Sequence, residues 1–183
     1  MAAVKDVLVN AAGIVKRLYQ AGTTVVNKID GSPLTQADIE VNEFLKATLL
    51  DLLPEAGWLS EETTDNPDRL AKDWVWVVDP LDGTREFAQG VPEFAISVGL
   101  VFRQQPVMGG VINPASGEGG LGLIGGQVEF WGGLEQKLAA NDLSGACAIL
   151  SRTEMEDGSV LPLLHLVGSS YPVGSVAYKL LRV

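Results

Sequence analysis

Cysteine and histidine are almost absent from this sequence, which contains one of each, Cys147 and His165. A single cysteine excludes a disulfide within the chain, and one cysteine with one histidine cannot build a Cys/His zinc site. Cys147 lies in the apolar stretch GACAIL, which predicts a small buried side chain. No motif surrounds His165, so we expect it to have no role in the chemistry.

Positive charge is also scarce, because 13 Lys and Arg residues stand against 23 Asp and Glu residues and leave a net charge of −10. A protein that binds the phosphate backbone of a nucleic acid needs a basic surface, so we expect no nucleic-acid polymer as a partner. Small anionic substrates are not excluded, because bound divalent metal ions can reverse the local electrostatic field.

Long apolar runs are missing as well. No run reaches the ~18 residues of a membrane span, so no span is predicted. Charged residues interrupt the N-terminal stretch, which therefore lacks the apolar core of a signal peptide. These absences predict a cytoplasmic protein. Its 183 residues, 46% of them apolar, suffice for one large domain or for one domain and part of another.

Hydrophobic spacing predicts an amphipathic helix over residues 2–21 and a second helix over 39–52, closed by Pro54. From Trp74 onward, short runs rich in β-branched and aromatic residues alternate with turn residues, which predicts an antiparallel meander. Beyond residue 140, GACAILSRTE predicts a strand that leaves into a loop, and GSVAYKLLRV predicts the start of a helix.

Acidic residues that stand apart from charged runs occur in three short motifs: TQAD with Asp38, LSEET with Glu61 and Glu62, and DPLDGT with Asp79 and Asp82. Hard divalent ions such as Mg²⁺ prefer oxygen ligands, and they often combine one or two carboxylates with water and phosphate. The alternative is a turn with an Asp cap at DPLDGT and a solvated loop at LSEET.

The DPLDGT motif directly follows an apolar strand pattern, and its proline fixes the backbone at the strand end. Asp79 and Asp82 can then converge on one place, where the carbonyl of Leu81 can join them. Gly83 allows close backbone approach, and Thr84 could cap a helix through TREFAQG. Because a helix start is a ready phosphate site, the motif indicates metal-assisted phosphoryl transfer to water.

The ordered motifs DGSPLTQAD, LSEET, WVVDPLDGTREF and PEFAISVGLV resemble those of the inositol monophosphatase-like superfamily of magnesium-dependent, lithium-sensitive phosphatases. Their spelling is most similar to the 3′(2′),5′-bisphosphate nucleotidase branch, which converts 3′-phosphoadenosine 5′-phosphate to AMP and phosphate. The resemblance runs from Lys28 to GSVAYKLLRV. It implies the α/β fold of that superfamily, a layered α-β-α-β-α sandwich in which two N-terminal helices pack on an antiparallel sheet.

The resemblance implies a cofactor of two or three Mg²⁺ ions. Glu61, Asp79 and the carbonyl of Leu81 would hold the first ion, Asp79 and Asp82 would share the second, and a third would bind near Glu61. Thr84, paired with Asp38, would orient and activate the attacking water, so the reaction needs no histidine.

The resemblance also implies contacts with a small phosphorylated substrate. These fall on Gly83, Thr84, Arg85, Ser151, Arg152, Gly174 and Lys179, with Lys179 meeting the second phosphate of a bisphosphate nucleotide. Lys28 and Glu62 would lie beside the metal site and tune it. For Lys28, Glu62, Arg85 and Lys179, an ordinary solvated position is the alternative.

One motif of the family is not found. After the helix that begins in GSVAYKLLRV, family members carry a Trp-Asp-x-Ala-Ala motif whose Asp binds the second metal, and this sequence has none. We therefore expect an N-terminal metal-binding domain over residues 1–140 and the incomplete beginning of a C-terminal α/β domain over 141–183, both part of a longer protein. A catalytically impaired relative is the alternative. Inositol monophosphate or another sugar phosphate is the alternative substrate, and a homodimer is a candidate assembly.

Overall fold

The computed structural model describes residues 1–22, 25–27, 33–134 and 142–183. The helices are α1 (Ala2–Ala21), α2 (Gln36–Leu52), α3 (Thr84–Ala88), α4 (Arg152–Glu156) and α5 (Val176–Arg182). The strands are β1 (Val25–Asn27), β2 (Pro33–Thr35), β3 (Gly57–Ser60), β4 (Trp74–Asp82), β5 (Ala95–Phe102), β6 (Gln105–Ile112), β7 (Gly119–Leu123), β8 (Val128–Trp131), β9 (Cys147–Ser151) and β10 (Ser169–Val173).

The two N-terminal helices form as their hydrophobic spacing predicts. Helix α1 buries one apolar face, and α2 begins at Gln36 after its N-cap Thr35, whose hydroxyl accepts a hydrogen bond from the Ala37 amide at 3.2 Å. Asp38 completes a capping box at that end, and α2 stops before Pro54, as predicted. None of the helices in the described ranges combines the length and hydrophobicity that a membrane crossing requires.

Six strands form the central sheet in the order β3-β4-β5-β6-β7-β8. The strands from β4 to β8 are antiparallel neighbours, which confirms the predicted meander. Strand β3 is parallel to β4, so the sheet is mixed and not wholly antiparallel. The connection through residues 61–73 supplies the crossover that a parallel neighbour needs, and the sequence pattern gave no sign of this pairing.

The sheet packs on both faces because successive side chains in a strand point in opposite directions. Ile96 and Val98 of β5 belong to the main core with α1 and α2. Ala95 belongs to a second cluster on the other side, together with Val173 and Tyr178 of the C-terminal segment. Residues 142–183 therefore pack onto the sheet of the N-terminal part, while the predicted domain division at residue 140 stays a prediction.

Two expectations for the C-terminal segment are wrong. Cys147 is exposed, because it is the first residue of β9, which has β10 as its only partner strand among the described residues. The chain also does not leave β9 into a loop: Ser151 and Glu154 form a capping box that starts α4 directly.

Candidate functional site

The acidic site begins at the end of β4, where the strand loses its regular pairing with β5. Asp79 pairs with Ser97 and Asp82 pairs with Ala95, so three steps along β4 match two steps along β5. The extra residue is a β-bulge, which bends the strand and redirects side chains. Leu81 is buried in this bulge, and its amide donates to Oδ1 of Asp79 at 3.1 Å.

The turn after the bulge depends on Gly83. Its φ is +95°, and a Cβ at this position would lie 2.9 Å from the carbonyl oxygen of Glu93. Only glycine fits both the conformation and the space. Gly83 is also the N-cap of α3, so the expectation that Thr84 caps this helix is wrong: the left-handed turn at Gly83 makes Thr84 the first helical residue.

The Thr84 hydroxyl faces two acceptors, Oδ1 of Asp38 at 3.1 Å and the carbonyl of Leu81 at 3.0 Å. Asp38 is 1% exposed, and its Oδ2 accepts from the amide and hydroxyl of Thr35 at 2.7 and 2.6 Å. Burial raises the pKa of Asp38 against the opposing effect of the hydrogen bonds from Thr35 and Thr84. The structure thus brings the predicted catalytic pair together.

Negative charge accumulates around Asp79. Burial, followed by the charges of Asp82 and Glu61, raises the pKa of the Asp79 carboxyl to about 7. Glu61 is exposed at the start of the turn after β3, and Glu62 beside it is partly buried. Although these residues come from different parts of the sequence, their charges act on one carboxyl group.

The turn that carries Glu61 and Glu62 is anchored to α2 by polar residues that sequence reasoning missed. Ser60 accepts from the amide of Glu62 at 3.3 Å and donates to Oδ1 of Asn42 at 2.6 Å. Asn42 in turn donates to Thr63 at 3.0 Å. Ser60 and Asn42 are both buried, so a buried polar pair fixes the start of this turn. Lys28, the other residue predicted to tune the site, lies outside the described residues.

Asp82 contacts the C-terminal segment. Its Oδ2 accepts from the hydroxyl of Ser175 at 2.6 Å and from the amide of Ala177 at 2.5 Å, so it caps the first turn of α5 from outside the helix. The Gly-Ser pair before an apolar helical pattern was a signal for Ser175 as an N-cap, but nothing local indicated Asp82 as its partner.

The predicted substrate residues divide into two groups. Gly83, Thr84 and the exposed Arg85 lie at the start of α3. Arg152 and Gly174 meet at Glu93, which sequence reasoning also missed: one guanidinium nitrogen of Arg152 lies 2.6 Å from both carboxylate oxygens, and the Gly174 amide donates to Oε2 at 3.0 Å. Ser151 caps α4, and no carboxylate among the described residues pairs with the partly buried Lys179 of α5.

The donor set has the chemistry of a site for a hard cation, namely carboxylates and a backbone carbonyl at one strand end. Burial and the neighbouring negative charges raise the pKa of Asp79, so a cation bound at this strand end would offset that charge. Within the described part of the chain, however, no three acidic, His or Cys side chains already stand as a ready metal cluster. The electrostatics favour a cation here, and one oxygen of Asp82 is directed towards α5.

Comparison with known proteins identifies the family of the chain. A sequence model of the inositol monophosphatase family matches residues 1–183. A curated relative, the 3′(2′),5′-bisphosphate nucleotidase CysQ of Aggregatibacter actinomycetemcomitans, is 36% identical over 134 residues, which are 72% of this chain and 50% of that protein. The matched part therefore spans half the length of this relative.

Solved structures share the fold. The extragenic suppressor protein suhB from Bartonella henselae superposes with a TM-score of 0.84 at 23% identity, covering 100% of this chain and 73% of that one. An IMPase/NADP phosphatase complexed with NADP and Ca²⁺ superposes with a TM-score of 0.83 at 18% identity, covering 100% and 70%. These likenesses confirm the expected fold class.

Proposed function

Because the chain belongs to the inositol monophosphatase family, we propose that the protein is a metal-dependent phosphate-monoester hydrolase. The observation that carries this proposal is the contact of Thr84 with the buried Asp38, directly after the strand end that holds Asp79. A hydroxyl held by a buried carboxylate, next to the acidic residues at this strand end, is suited to directing a water molecule at a phosphorus atom.

Glu61, Asp79, Asp82 and the Leu81 carbonyl are the proposed Mg²⁺ ligands. The Leu81 carbonyl has two lone pairs, so one can bind a metal ion while the other faces the Thr84 hydroxyl, whose single proton is directed to Asp38 in the proposed mechanism. Among the described residues, no donor reaches Oδ1 of Asp82, so this oxygen remains available. A bound divalent ion would lower the pKa of the attacking water and neutralise charge on the phosphoryl group. Two ions, with a third near Glu61, are proposed.

Thr84 and Asp38 then act on the water. The Thr84 hydroxyl accepts a hydrogen bond from the water and donates its own proton towards Oδ1 of Asp38. The raised pKa of Asp38 strengthens this carboxylate as a proton acceptor. Water attacks phosphorus and passes a proton through Thr84 to Asp38, while the ester bond to the leaving group breaks and the leaving oxygen takes a proton from a solvent water molecule. Asp38 then returns its proton to solvent, so one water molecule is consumed. The amides of Gly83 and Thr84, with Arg85, would hold the phosphoryl oxygens.

The proposed substrate is 3′-phosphoadenosine 5′-phosphate, with Lys179 as the cation for the second phosphate. The sequence identity of 36% to the CysQ nucleotidase supports this choice of substrate. The neighbouring structure that holds NADP and Ca²⁺ also supports a phosphorylated nucleotide with a divalent ion. A monophosphate such as inositol monophosphate is the second candidate, because Glu93 already pairs with Arg152 and leaves fewer cations for a second phosphate.

Phosphate release tests the proposal. The purified protein is given 3′-phosphoadenosine 5′-phosphate or inositol 1-phosphate in Mg²⁺, in Mg²⁺ with Li⁺, and in EDTA. We expect Mg²⁺-dependent release, faster from the bisphosphate and suppressed by both Li⁺ and EDTA. Faster release from inositol 1-phosphate would select the second candidate. No release from either substrate, with Mg²⁺ binding intact, would instead identify a relative that binds without turnover.

A further inference from the structure

Glu93 lies between the turn at Gly83 and the C-terminal segment, and it makes contacts with both. Its carboxylate accepts from Arg152 at 2.6 Å through each oxygen and from the Gly174 amide at 3.0 Å. Its carbonyl oxygen accepts from the amide of Ser175 at 3.2 Å. The same carbonyl is the atom that a Cβ at Gly83 would meet at 2.9 Å. Glu93 therefore joins the two segments through both side chain and backbone.

The contacts continue from Glu93 to Asp82. The Ser175 side chain, which is 0% exposed, donates to Oδ2 of Asp82, and the Ala177 amide donates to the same oxygen. Contacts that fix the positions of residues 174–177 therefore also fix the two donors that orient the Asp82 carboxylate. We propose that Glu93 is a positioning residue, which fixes Gly174 and Ser175 and thereby sets the orientation of Asp82.

The negative charge of Glu93 is part of this role. Arg152 forms an ion pair with Glu93, and the charges of Glu86 and Glu156 also act on its guanidinium. Glu86 itself packs against Gly174, where an added Cβ would lie 2.2 Å from its Cδ. Arg152 is 33% exposed and Glu93 is 20% exposed, so the pair is screened less than a fully exposed one. Without Arg152, the carboxylates of Glu86 and Glu93 would both lie near Gly174 without the positive charge that pairs with Glu93.

The inference rests on the proposed function only in treating Asp82 as a metal ligand. Groups that orient a ligand from behind typically affect metal affinity 10–100-fold when they are changed. Glu93→Gln keeps an oxygen that can accept from the Gly174 amide and removes the charge that attracts Arg152. This change should therefore disturb the orientation of Asp82 more than it disturbs the fold.

The experiment measures Mg²⁺ binding by calorimetry, thermal unfolding in EDTA, and kcat and KM as functions of Mg²⁺ concentration. For Glu93→Gln we expect Mg²⁺ affinity to fall about 10-fold or more, with activity largely recovered at high Mg²⁺. The control is Glu43→Gln, which changes an exposed glutamate of α2 far along the chain from these contacts and should match the wild type. Arg152→Gln removes the same ion pair from the other side and should weaken Mg²⁺ binding similarly.

The outcomes separate the positioning role of Glu93 from the proposed function. Unchanged Mg²⁺ affinity in both Glu93→Gln and Arg152→Gln would overturn the positioning role, even if KM rises. If Glu93→Gln does not fold, Arg152→Gln alone decides the question by the same calorimetry. If the wild type binds Mg²⁺ but releases no phosphate, the proposed function fails, and calorimetry still judges Glu93. A wild type that binds no Mg²⁺ overturns both.

Discussion

The hydroxyl of Thr84 lies 3.1 Å from Oδ1 of Asp38, although the two residues are 46 positions apart in the sequence. Asp38 comes from the first turn of α2 and Thr84 from the first turn of α3, so two helix starts meet at the end of β4. This meeting point gives the protein a polar pair adjacent to the acidic residues, in which the carboxylate of Asp38 is buried and the hydroxyl of Thr84 is partly exposed.

Thr84→Ala should lower kcat by about 10²-fold or more, because it removes the hydroxyl that directs a proton towards Asp38. Mg²⁺ affinity should stay within a few-fold of the wild type, since the Leu81 carbonyl and the carboxylates remain. Steady-state kinetics and calorimetry measure the two quantities. Thr84→Ser, which retains the hydroxyl, is the matched control and should keep most of the activity. An equal loss of Mg²⁺ affinity in Thr84→Ala would show that Thr84 has a structural role.

Asp79→Asn should abolish turnover and weaken Mg²⁺ binding, because it removes the carboxylate proposed to bridge two ions. Phosphate release at saturating Mg²⁺ measures the first effect, and calorimetry the second. The control is Asp73→Asn, which should leave both quantities unchanged. Asp73 is an exposed residue just before β4, and its carboxylate pairs with Arg103. Substantial residual turnover in Asp79→Asn would refute the two-metal assignment.

Asp79→Asn should also change how the free energy of unfolding depends on pH in the absence of metal. Because the folded pKa of Asp79 is raised from 3.8 to about 7, the folded state holds a proton that the unfolded state has already lost between these values. The contribution of Asp79 to the free energy of unfolding therefore falls as pH rises from about 4 to about 7, by at most about 1.4 kcal/mol per pH unit. Denaturant titrations in EDTA should show the wild type losing stability relative to Asp79→Asn across this range. A difference that is constant with pH would contradict the prediction.

Gly83→Ala should lower the free energy of unfolding by about 1 to 3 kcal/mol, because a Cβ must adopt φ +95° and approach the Glu93 carbonyl. Gly125→Ala is the matched control: its φ is +69°, and nothing lies within 4 Å of the added carbon. The difference between the two variants in chemical denaturation therefore isolates the close contact with Glu93. Equal losses would show that conformation alone accounts for the effect at Gly83.

Features encoded locally were predictable from the sequence. Helix α1, helix α2 and the antiparallel meander follow from hydrophobic spacing, and the DPLDGT motif marked the strand end with its two carboxylates. The pairing of Thr84 with Asp38 was accessible only through the resemblance to a known family, because no local pattern connects two helix starts.

Contacts between distant polar residues were not predictable. Asp82 and Ser175 are 93 positions apart, and Glu93 and Arg152 are 59 apart. Each of these residues alone fits an ordinary turn or helix end, so the sequence offers no sign of a partner. The exposure of Cys147 has a similar origin, since apolar neighbours in sequence did not indicate that β9 begins at the surface.

Asp38 uses one carboxyl group for two purposes, because Oδ2 completes the capping box of α2 and Oδ1 faces Thr84. The ends of a helix fray more readily than its interior. Hydrogen exchange at the first amides of α2 would therefore report how often Asp38, the proposed proton acceptor, is displaced from Thr84. Fraying of this one turn would separate Asp38 from Thr84 while the rest of the molecule stays folded.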